Sequence, residues 1–150
     1  MRNKLSSFRY VPIFIDANIF VYHAAGSKYT ESAAVIDEAA YILIINKGLE
    51  LLDSKSPRKV REMLETDRNF AEKCYSVLKD FIGYVKSLEN LKLLEITGDD
   101  AFRIPDYGIA YLLHPKDSLH LAVMKRYRIF DIATNDSDFD RVDWVRVWYP

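Results

Sequence analysis

Carboxylates lie at four points of the sequence from which they could reach a common site. Asp16 directly follows a short apolar run, and Asp136 follows another across a single asparagine. Asp117 lies in the segment before that second run, and Glu38 lies beside the apolar stripe of an expected helix. Carboxylates held within a few ångströms repel one another and raise each other's pKa. A divalent cation relieves that repulsion, and an all-oxygen set of this kind suits Mg²⁺ or Mn²⁺.

The residues that other common chemistries need are scarce. The single cysteine, Cys74, and three histidines without a metalloprotease spacing disfavour both a zinc site and a cysteine–histidine nucleophile. Neither of the glycine-rich phosphate-binding motifs occurs in the sequence. Asp16 is followed by Ala17 and Asn18, where a receiver domain or an Asp-x-Asp phosphatase would need a further acid. Metal chemistry on carboxylates is therefore the favoured interpretation.

Each acid taken alone also has an ordinary structural explanation. Asp16 could form a turn, Asp136 could cap a helix, and Asp117 could complement a helix dipole. Glu38, at the border of a helix stripe, could simply be exposed to solvent. The alternative hypothesis is thus a non-catalytic interaction or structural domain, and only the joint pattern of the acids favours an enzyme.

Short apolar segments alternate with helical patterns along the chain. Strands are predicted at 11–15, 91–96, 129–134 and 145–149. Helices are predicted at about 30–47 with a stop at Gly48, at 57–65, from a cap at Asp67 to about 85, at 99–113 and at 115–127. This alternation predicts an α/β fold with a mostly parallel sheet. In such sheets ligands bind at the carboxyl ends of the strands, where Asp16 and Asp136 would both lie.

The composition is typical of one globular domain. The chain has 150 residues, 49% of them hydrophobic and 29% charged, and we expect a single domain over residues 1–150. Basic and acidic residues number 21 and 22, for a net charge of −1, which argues against a basic coat or histone-like protein. No apolar run is long enough to span a membrane. The single cysteine favours a reducing compartment, so we expect a cytoplasmic protein.

Four motifs follow one another in a characteristic order. They are FIDANIF at 14–20, VIDE at 35–38, DSLHLA at 117–122 and ATNDSDF at 133–139. Together they resemble the PIN-domain nuclease family, of which the VapC-type toxins of toxin–antitoxin pairs are small members. The resemblance implies a three-layer α/β/α sandwich with a parallel sheet, in agreement with the predicted elements. It also implies a metal-dependent endoribonuclease that hydrolyses RNA phosphodiester bonds.

The resemblance further implies roles for individual residues. The acids that would bind Mg²⁺ or Mn²⁺ and act in catalysis are Asp16, Glu38, Asp117 and Asp136. Asp138 would be an accessory metal ligand. Asn18 and Thr134 match the small polar residues that orient the first and last acids, and such groups fix the geometry of carboxylate ligands.

Two spacings depart from the usual pattern of the family. The stretch between Asp16 and Glu38 is short, so Glu31 and Asp37 are alternatives for the second acid. The stretch between Glu38 and Asp117 is long and has room for an extra helix. The long stretch leaves open an RNA-processing nuclease that is not a toxin.

The expected partners follow from the resemblance as well. They are an RNA substrate, a small antitoxin protein and a second copy of the chain in a homodimer, with no membrane partner. Lys116, beside Asp117, could contact the RNA backbone.

Overall fold

The computed structural model describes residues 3–4, 7–8, 12–16, 29–89 and 91–149. The chain divides into two compact units, one formed by Met1–Ile36 with Asn90–Pro150 and the other by Asp37–Glu89. The single domain expected over residues 1–150 stays a prediction. Within the described ranges, no helix combines the length and the hydropathy needed to cross a membrane.

The described strands of the first unit form one parallel sheet. They are β1 (Asn3–Lys4), β2 (Ile13–Ile15), β3 (Tyr29–Ser32), β4 (Leu91–Leu94), β5 (Asp131–Ala133) and β6 (Arg146–Tyr149). Their order across the sheet is β1-β6-β5-β2-β3-β4, and every neighbouring pair runs parallel. The predicted α/β fold with a parallel sheet is therefore confirmed, and four of the six strands fall where the sequence predicted them.

The centre of the sheet explains the apolar runs of the sequence. All three residues of β2 are buried, as are all three of β5. Strands covered on both faces read as continuous apolar runs because neither face meets water. Phe14 and Ile132 are paired across β2 and β5 and belong to one buried cluster with Leu121 and Phe139.

The strand order creates a switch point beside β2. From β2 the chain builds β3 and β4 on one side of the sheet, and β5 and β6 then lie on the other side. In open α/β sheets, ligands usually bind in the crevice at the carboxyl ends of two neighbouring strands whose onward connections run to opposite sides. That crevice lies just beyond Ile15 and Ala133, which are themselves paired.

The described helices largely follow the predicted caps. They are α1 (Ala33–Leu51), α2 (Pro57–Thr66), α3 (Arg68–Ser87), α4 (Gly98–Phe102), α5 (Ile104–Tyr111), α6 (Pro115–Tyr127) and a 3₁₀ helix (Ser137–Arg141). The side chains of Ser56 and Asp67 cap α2 and α3 by accepting hydrogen bonds from backbone N–H groups. The single helix predicted at 99–113 is instead two helices, because the chain breaks at Arg103, just before Ile104-Pro105.

The predicted helix stop at Gly48 is wrong, since α1 continues to Leu51. A Cβ at position 48 would lie 2.3 Å from Cγ1 of Val60, which is fully buried on α2. Val60 belongs to the apolar cluster of the second unit, with Ile44, Phe70 and Cys74. The glycine therefore allows close packing against α2 rather than ending the helix.

The variant Gly48→Ala should lower the free energy of unfolding by about 1–3 kcal/mol, because the new methyl overlaps Val60. Gly83 is the matched control, since it lies inside α3 and a Cβ there meets nothing within 4 Å. Gly83→Ala should raise stability by about 0.5–1 kcal/mol through helix propensity. Urea unfolding measures both. Two changes of the same sign would contradict the close packing at Gly48.

Candidate active site

Asp16 is held at the switch point by both its backbone and its side chain. Its N–H donates to the carbonyl oxygen of Ala133 at 3.0 Å, which continues the pairing of β2 with β5 beyond the strand. Its carboxylate is buried and accepts a hydrogen bond of 2.6 Å from the hydroxyl of Thr134 to Oδ2. Thr134 is completely buried directly after β5. The two strand ends thus fix the orientation of the first acid.

Asp136 is tied to the same hydroxyl. Its N–H donates to Oγ1 of Thr134 at 2.9 Å, so one threonine hydroxyl contacts both acidic segments. The carboxylate of Asp136 caps the 3₁₀ helix, with Oδ1 accepting from the N–H of Asp138 at 2.8 Å. These bonds are a physical basis for the orienting role that the sequence predicted for Thr134.

Asp117 approaches the same place from the first turn of α6. The pKa of this half-buried carboxyl is raised from 3.8 to about 6, first by burial and then by the negative charges of Asp136 and Asp16. His114 lowers the pKa and Asp138 raises it by smaller amounts. A pKa displaced in this way by specific charged neighbours is typical of functional sites. The structure therefore brings Asp16, Asp117 and Asp136 together.

His120 is a neighbour of the site to which the sequence analysis gave no role. Its ring is buried on α6 and tilted against Phe14, with 5.3 Å between ring centroids. A ring nitrogen of His120 lies within 4.8 Å of a carboxylate oxygen of Asp16. The sequence contained a signal for this position: His120 follows Asp117 by one helical turn in the motif DSLHLA, which places both side chains on the same face of the helix.

The remaining predicted site residues stay predictions. Glu38 is half-buried on α1 in the second unit, and Asp37 is exposed beside it. Glu31 lies in β3. Asn18 lies outside the described residues. Lys116 is exposed in the first turn of α6, directly before Asp117.

The chemistry of the gathered side chains fits a hard divalent cation. Asp16, Asp117 and Asp136 offer only carboxylate oxygens, which Mg²⁺ and Mn²⁺ prefer, and the one cysteine of the chain is buried in the second unit. Mutual repulsion of the aspartates is the physical reason that a cation would be attracted there.

The variant Thr134→Val should lower the free energy of unfolding by about 2 kcal/mol, because it removes the hydroxyl that donates to the buried Asp16 carboxylate and accepts from the Asp136 N–H. Thr134→Ser retains the hydroxyl and should cost less than about 1 kcal/mol, the value of one lost methyl group. Urea unfolding at neutral pH compares the two. Equal losses would mean that the hydroxyl does not hold the acids.

The protein thus has an α/β fold with a parallel sheet, and at the switch point of that sheet lies a group of aspartates of the kind that binds divalent cations. The PIN domain family model matches residues 13–145, and the chain belongs to this family. Ribonuclease VapC6 of Methanocaldococcus jannaschii is 32% identical over 73 residues, which are 49% of this chain and 48% of that protein. The match thus spans about half the length of this curated relative.

Solved structures of low sequence identity have the same fold. A toxin–antitoxin complex from Klebsiella pneumoniae matches with a TM-score of 0.55 at 16% identity, covering 89% of this chain and 94% of that chain. VapBC2 from Rickettsia felis, bound to a promoter DNA fragment, matches with a TM-score of 0.51 at 12% identity, covering 93% and 98%. VapBC-5 from Mycobacterium tuberculosis matches with a TM-score of 0.50 at 13% identity, with the same coverage.

Proposed function

We propose that the protein is a Mg²⁺- or Mn²⁺-dependent endoribonuclease that hydrolyses RNA phosphodiester bonds. The observation that carries the proposal is the gathering of aspartates at the switch point, where the Thr134 hydroxyl contacts both Asp16 and the Asp136 segment and α6 brings in Asp117. Membership of the PIN family and the similarity to Ribonuclease VapC6 support a nuclease rather than another metal-dependent enzyme. The non-catalytic alternative does not explain why three aspartates are held against their mutual repulsion.

The aspartates would hold the cation, and Glu38 would complete the set. Bound Mg²⁺ or Mn²⁺ supplies Lewis-acid chemistry, which activates water and stabilises charge on the scissile phosphate. The hydroxyl of Thr134 keeps Asp16 and Asp136 in fixed orientations. Lys116, exposed beside Asp117, would contact the RNA backbone.

A carboxylate oxygen of Asp117 would accept the proton of the attacking water. The Asp117 side chain enters the site from the first turn of α6, beside the acids that would hold the cation, and a carboxylate in such a position can act as a general base. Asp16, hydrogen-bonded to the Thr134 hydroxyl at Oδ2, is the other candidate. Hydrolysis by water leaves no covalent link to the protein, and the expected products carry 5′-phosphate and 3′-hydroxyl ends.

The direct test is cleavage of a mixed RNA substrate by the purified chain with Mg²⁺, with Mn²⁺ or with EDTA. Cleavage should require the metal and should generate ends that a 5′-phosphate-dependent exonuclease degrades. Asp16→Asn should be inactive, whereas Asp143→Asn, at an exposed aspartate outside the acidic set, should cleave like wild type. Cleavage that persists in EDTA, or in Asp16→Asn, would contradict the proposal.

We further propose that the nuclease is the toxin of a toxin–antitoxin pair, restrained by a small antitoxin. Two of the similar solved structures belong to toxin–antitoxin systems, which supports this partner. If so, the product of an adjacent gene should co-purify with the chain and inhibit RNA cleavage. Such a toxin would act in the cytoplasm, and the homodimer suggested by the family resemblance can be tested by size-exclusion chromatography with light scattering.

An RNA-processing nuclease without an antitoxin is the second candidate. It is favoured by the segment Asp37–Glu89, which forms a compact unit of its own and covers the first part of the long stretch between Glu38 and Asp117. Expression of the chain alone separates the two candidates. A toxin should arrest growth unless its antitoxin is co-expressed, whereas a processing nuclease should be tolerated.

A further inference from the structure

The guanidinium of Arg141 joins two chain segments that flank the acidic site. Arg141 ends the 3₁₀ helix that Asp136 caps. Its Nη2 lies 3.0 Å from Oδ1 of Asp138. The same group donates from Nε to the carbonyl oxygen of Tyr111 at 3.0 Å and from Nη2 to that of Leu112 at 2.9 Å. The side chain thus contacts both its own helix and the end of α5.

The contacts of Arg141 with the end of α5 hold a turn that is strained. Leu112 has a φ of 54°, the left-handed conformation that a leucine adopts only at a cost of about 1–2 kcal/mol. Leu112 itself is 76% exposed, so its own side chain does little to hold this turn, whereas the next residue, Leu113, is buried in the core. The turn leads into α6, which begins at Pro115 and places Asp117 in its first turn. Holding Leu112 therefore helps to fix the point from which Asp117 starts.

Through Asp138, Arg141 is also connected to Asp136. Asp138 directs its carboxylate to Arg141, while its N–H donates to Oδ1 of Asp136. Asp117 and Asp136 carry like charges, and carboxylates that are held close together repel each other. Arg141 bonds to both segments and so opposes their separation when no cation is bound.

We propose that Arg141 is a positioning residue that clamps the Asp136 segment to the entrance of α6, and that Asp138 serves this clamp instead of binding the metal. The inference rests on the metal site of the proposed function. It revises the accessory-ligand role that the family resemblance implied for Asp138. The clamp prepares the site for a cation by keeping Asp117 and Asp136 close.

A clamp and a simple positive charge at Arg141 predict opposite changes in cation affinity when the residue is removed. Arg141 is a positive charge near a cation site, so removing it should tighten metal binding if charge were its main effect. Removing Arg141 should also tighten metal binding if Asp138 were a metal ligand that the ion pair with Arg141 keeps away from the cation. If Arg141 is a clamp, its removal weakens binding, because the aspartates then have to be brought together at the expense of binding energy.

The experiment is calorimetric titration of Mn²⁺ into the full chain without RNA, at a temperature well below unfolding. Arg141→Ala and Asp138→Asn should each weaken Mn²⁺ binding by about 10-fold, the usual effect of losing a group that orients a ligand. Arg141→Lys should weaken it similarly, because an ammonium cannot reproduce the forked contacts of a guanidinium. The double variant Arg141→Ala/Asp138→Asn should have the same Mn²⁺ affinity as the single variant that binds less tightly, because both changes remove the same clamp.

Arg146→Ala is the matched control. Arg146 pairs with Asp131 at 3.1 Å in the same unit, and no contact in the described residues links it to the acids of the site. This variant should bind Mn²⁺ like wild type. If Arg141→Ala folds poorly, Arg141→Lys is the milder variant, since it keeps the positive charge and loses only the forked contacts with the two carbonyls.

Two results would overturn the clamp while leaving the proposed function in place. One is Mn²⁺ binding by Arg141→Ala that equals or exceeds that of wild type. The other is a further loss of affinity when Asp138→Asn is added to Arg141→Ala, which would make Asp138 a ligand. Failure of the wild-type chain to bind Mn²⁺ would instead overturn the metal site itself, and the clamp with it.

Discussion

Asp117→Asn should lose RNA cleavage by at least about 100-fold and yet make the metal-free protein more stable than wild type. The loss follows because the variant removes a metal ligand and the proposed proton acceptor, each worth several kilocalories per mole in the transition state. The gain follows because the ionised Asp117 is partly buried and also lies in the field of Asp136 and Asp16. After allowance for solvent screening of a half-buried group, we expect a gain of about 1 kcal/mol at neutral pH.

The pH dependence of that gain is fixed by the direction of the pKa shift. The folded-state pKa of Asp117 is raised to about 6, so its favourable contribution is complete below about pH 4 and is lost as pH rises through 6. The stability difference between Asp117→Asn and wild type should therefore grow between pH 4 and pH 7. Urea unfolding in EDTA at several pH values measures it. A variant less stable than wild type at pH 7 would mean that Asp117 is a structural residue.

The largest loss of stability is expected at a different aspartate, Asp100 on α4. Asp100 is buried and accepts hydrogen bonds from the guanidinium of Arg126 at 2.8 and 2.9 Å and from the N–H of Thr97 at 2.8 Å. Arg126 also donates to the carbonyl oxygen of Glu95. Asp100→Ala leaves this guanidinium without its carboxylate, and we expect a loss of about 3 kcal/mol. Cleavage at a permissive temperature should be unchanged.

Asp99→Ala is the control, because Asp99 is an exposed neighbour in the same first turn, and its change should stay within about 0.5 kcal/mol. Burial alone would raise the pKa of Asp100, but the bonds from Arg126 and Thr97 hold it below the ordinary value. Its stabilising contribution is thus present at neutral pH and lost as pH falls below about 4. Denaturant unfolding of both variants decides, and similar losses would contradict a special role for Asp100.

The acids at the switch point could be predicted because local sequence encodes their positions. Asp16 directly follows β2, and Thr134 directly follows β5, so two buried strands in parallel register are enough to bring them together. Asp117 could be placed because Pro115 marks the first turn of α6. Each of these signals lies within a few residues of the side chain that it positions.

Other features depended on partners that are distant in the sequence. β3 reads YTES and β1 has two exposed polar residues, so neither carries an apolar signal, and both are strands because of their neighbours in the sheet. Gly48 is a packing glycine only because Val60 lies against it. The contacts of Arg141 with Tyr111 and Leu112 likewise join segments that local patterns cannot relate.

The most direct test of the metal site is the thermal unfolding midpoint of wild type and Asp117→Asn, measured in EDTA and over increasing Mn²⁺. At about 100 times the dissociation constant, Mn²⁺ should stabilise wild type by roughly 2.7 kcal/mol and leave Asp117→Asn nearly unchanged. In EDTA the variant should unfold at or above the wild-type temperature. A wild-type midpoint that ignores Mn²⁺, or a variant that unfolds below wild type in EDTA, would contradict a repulsive carboxylate site built to hold a cation.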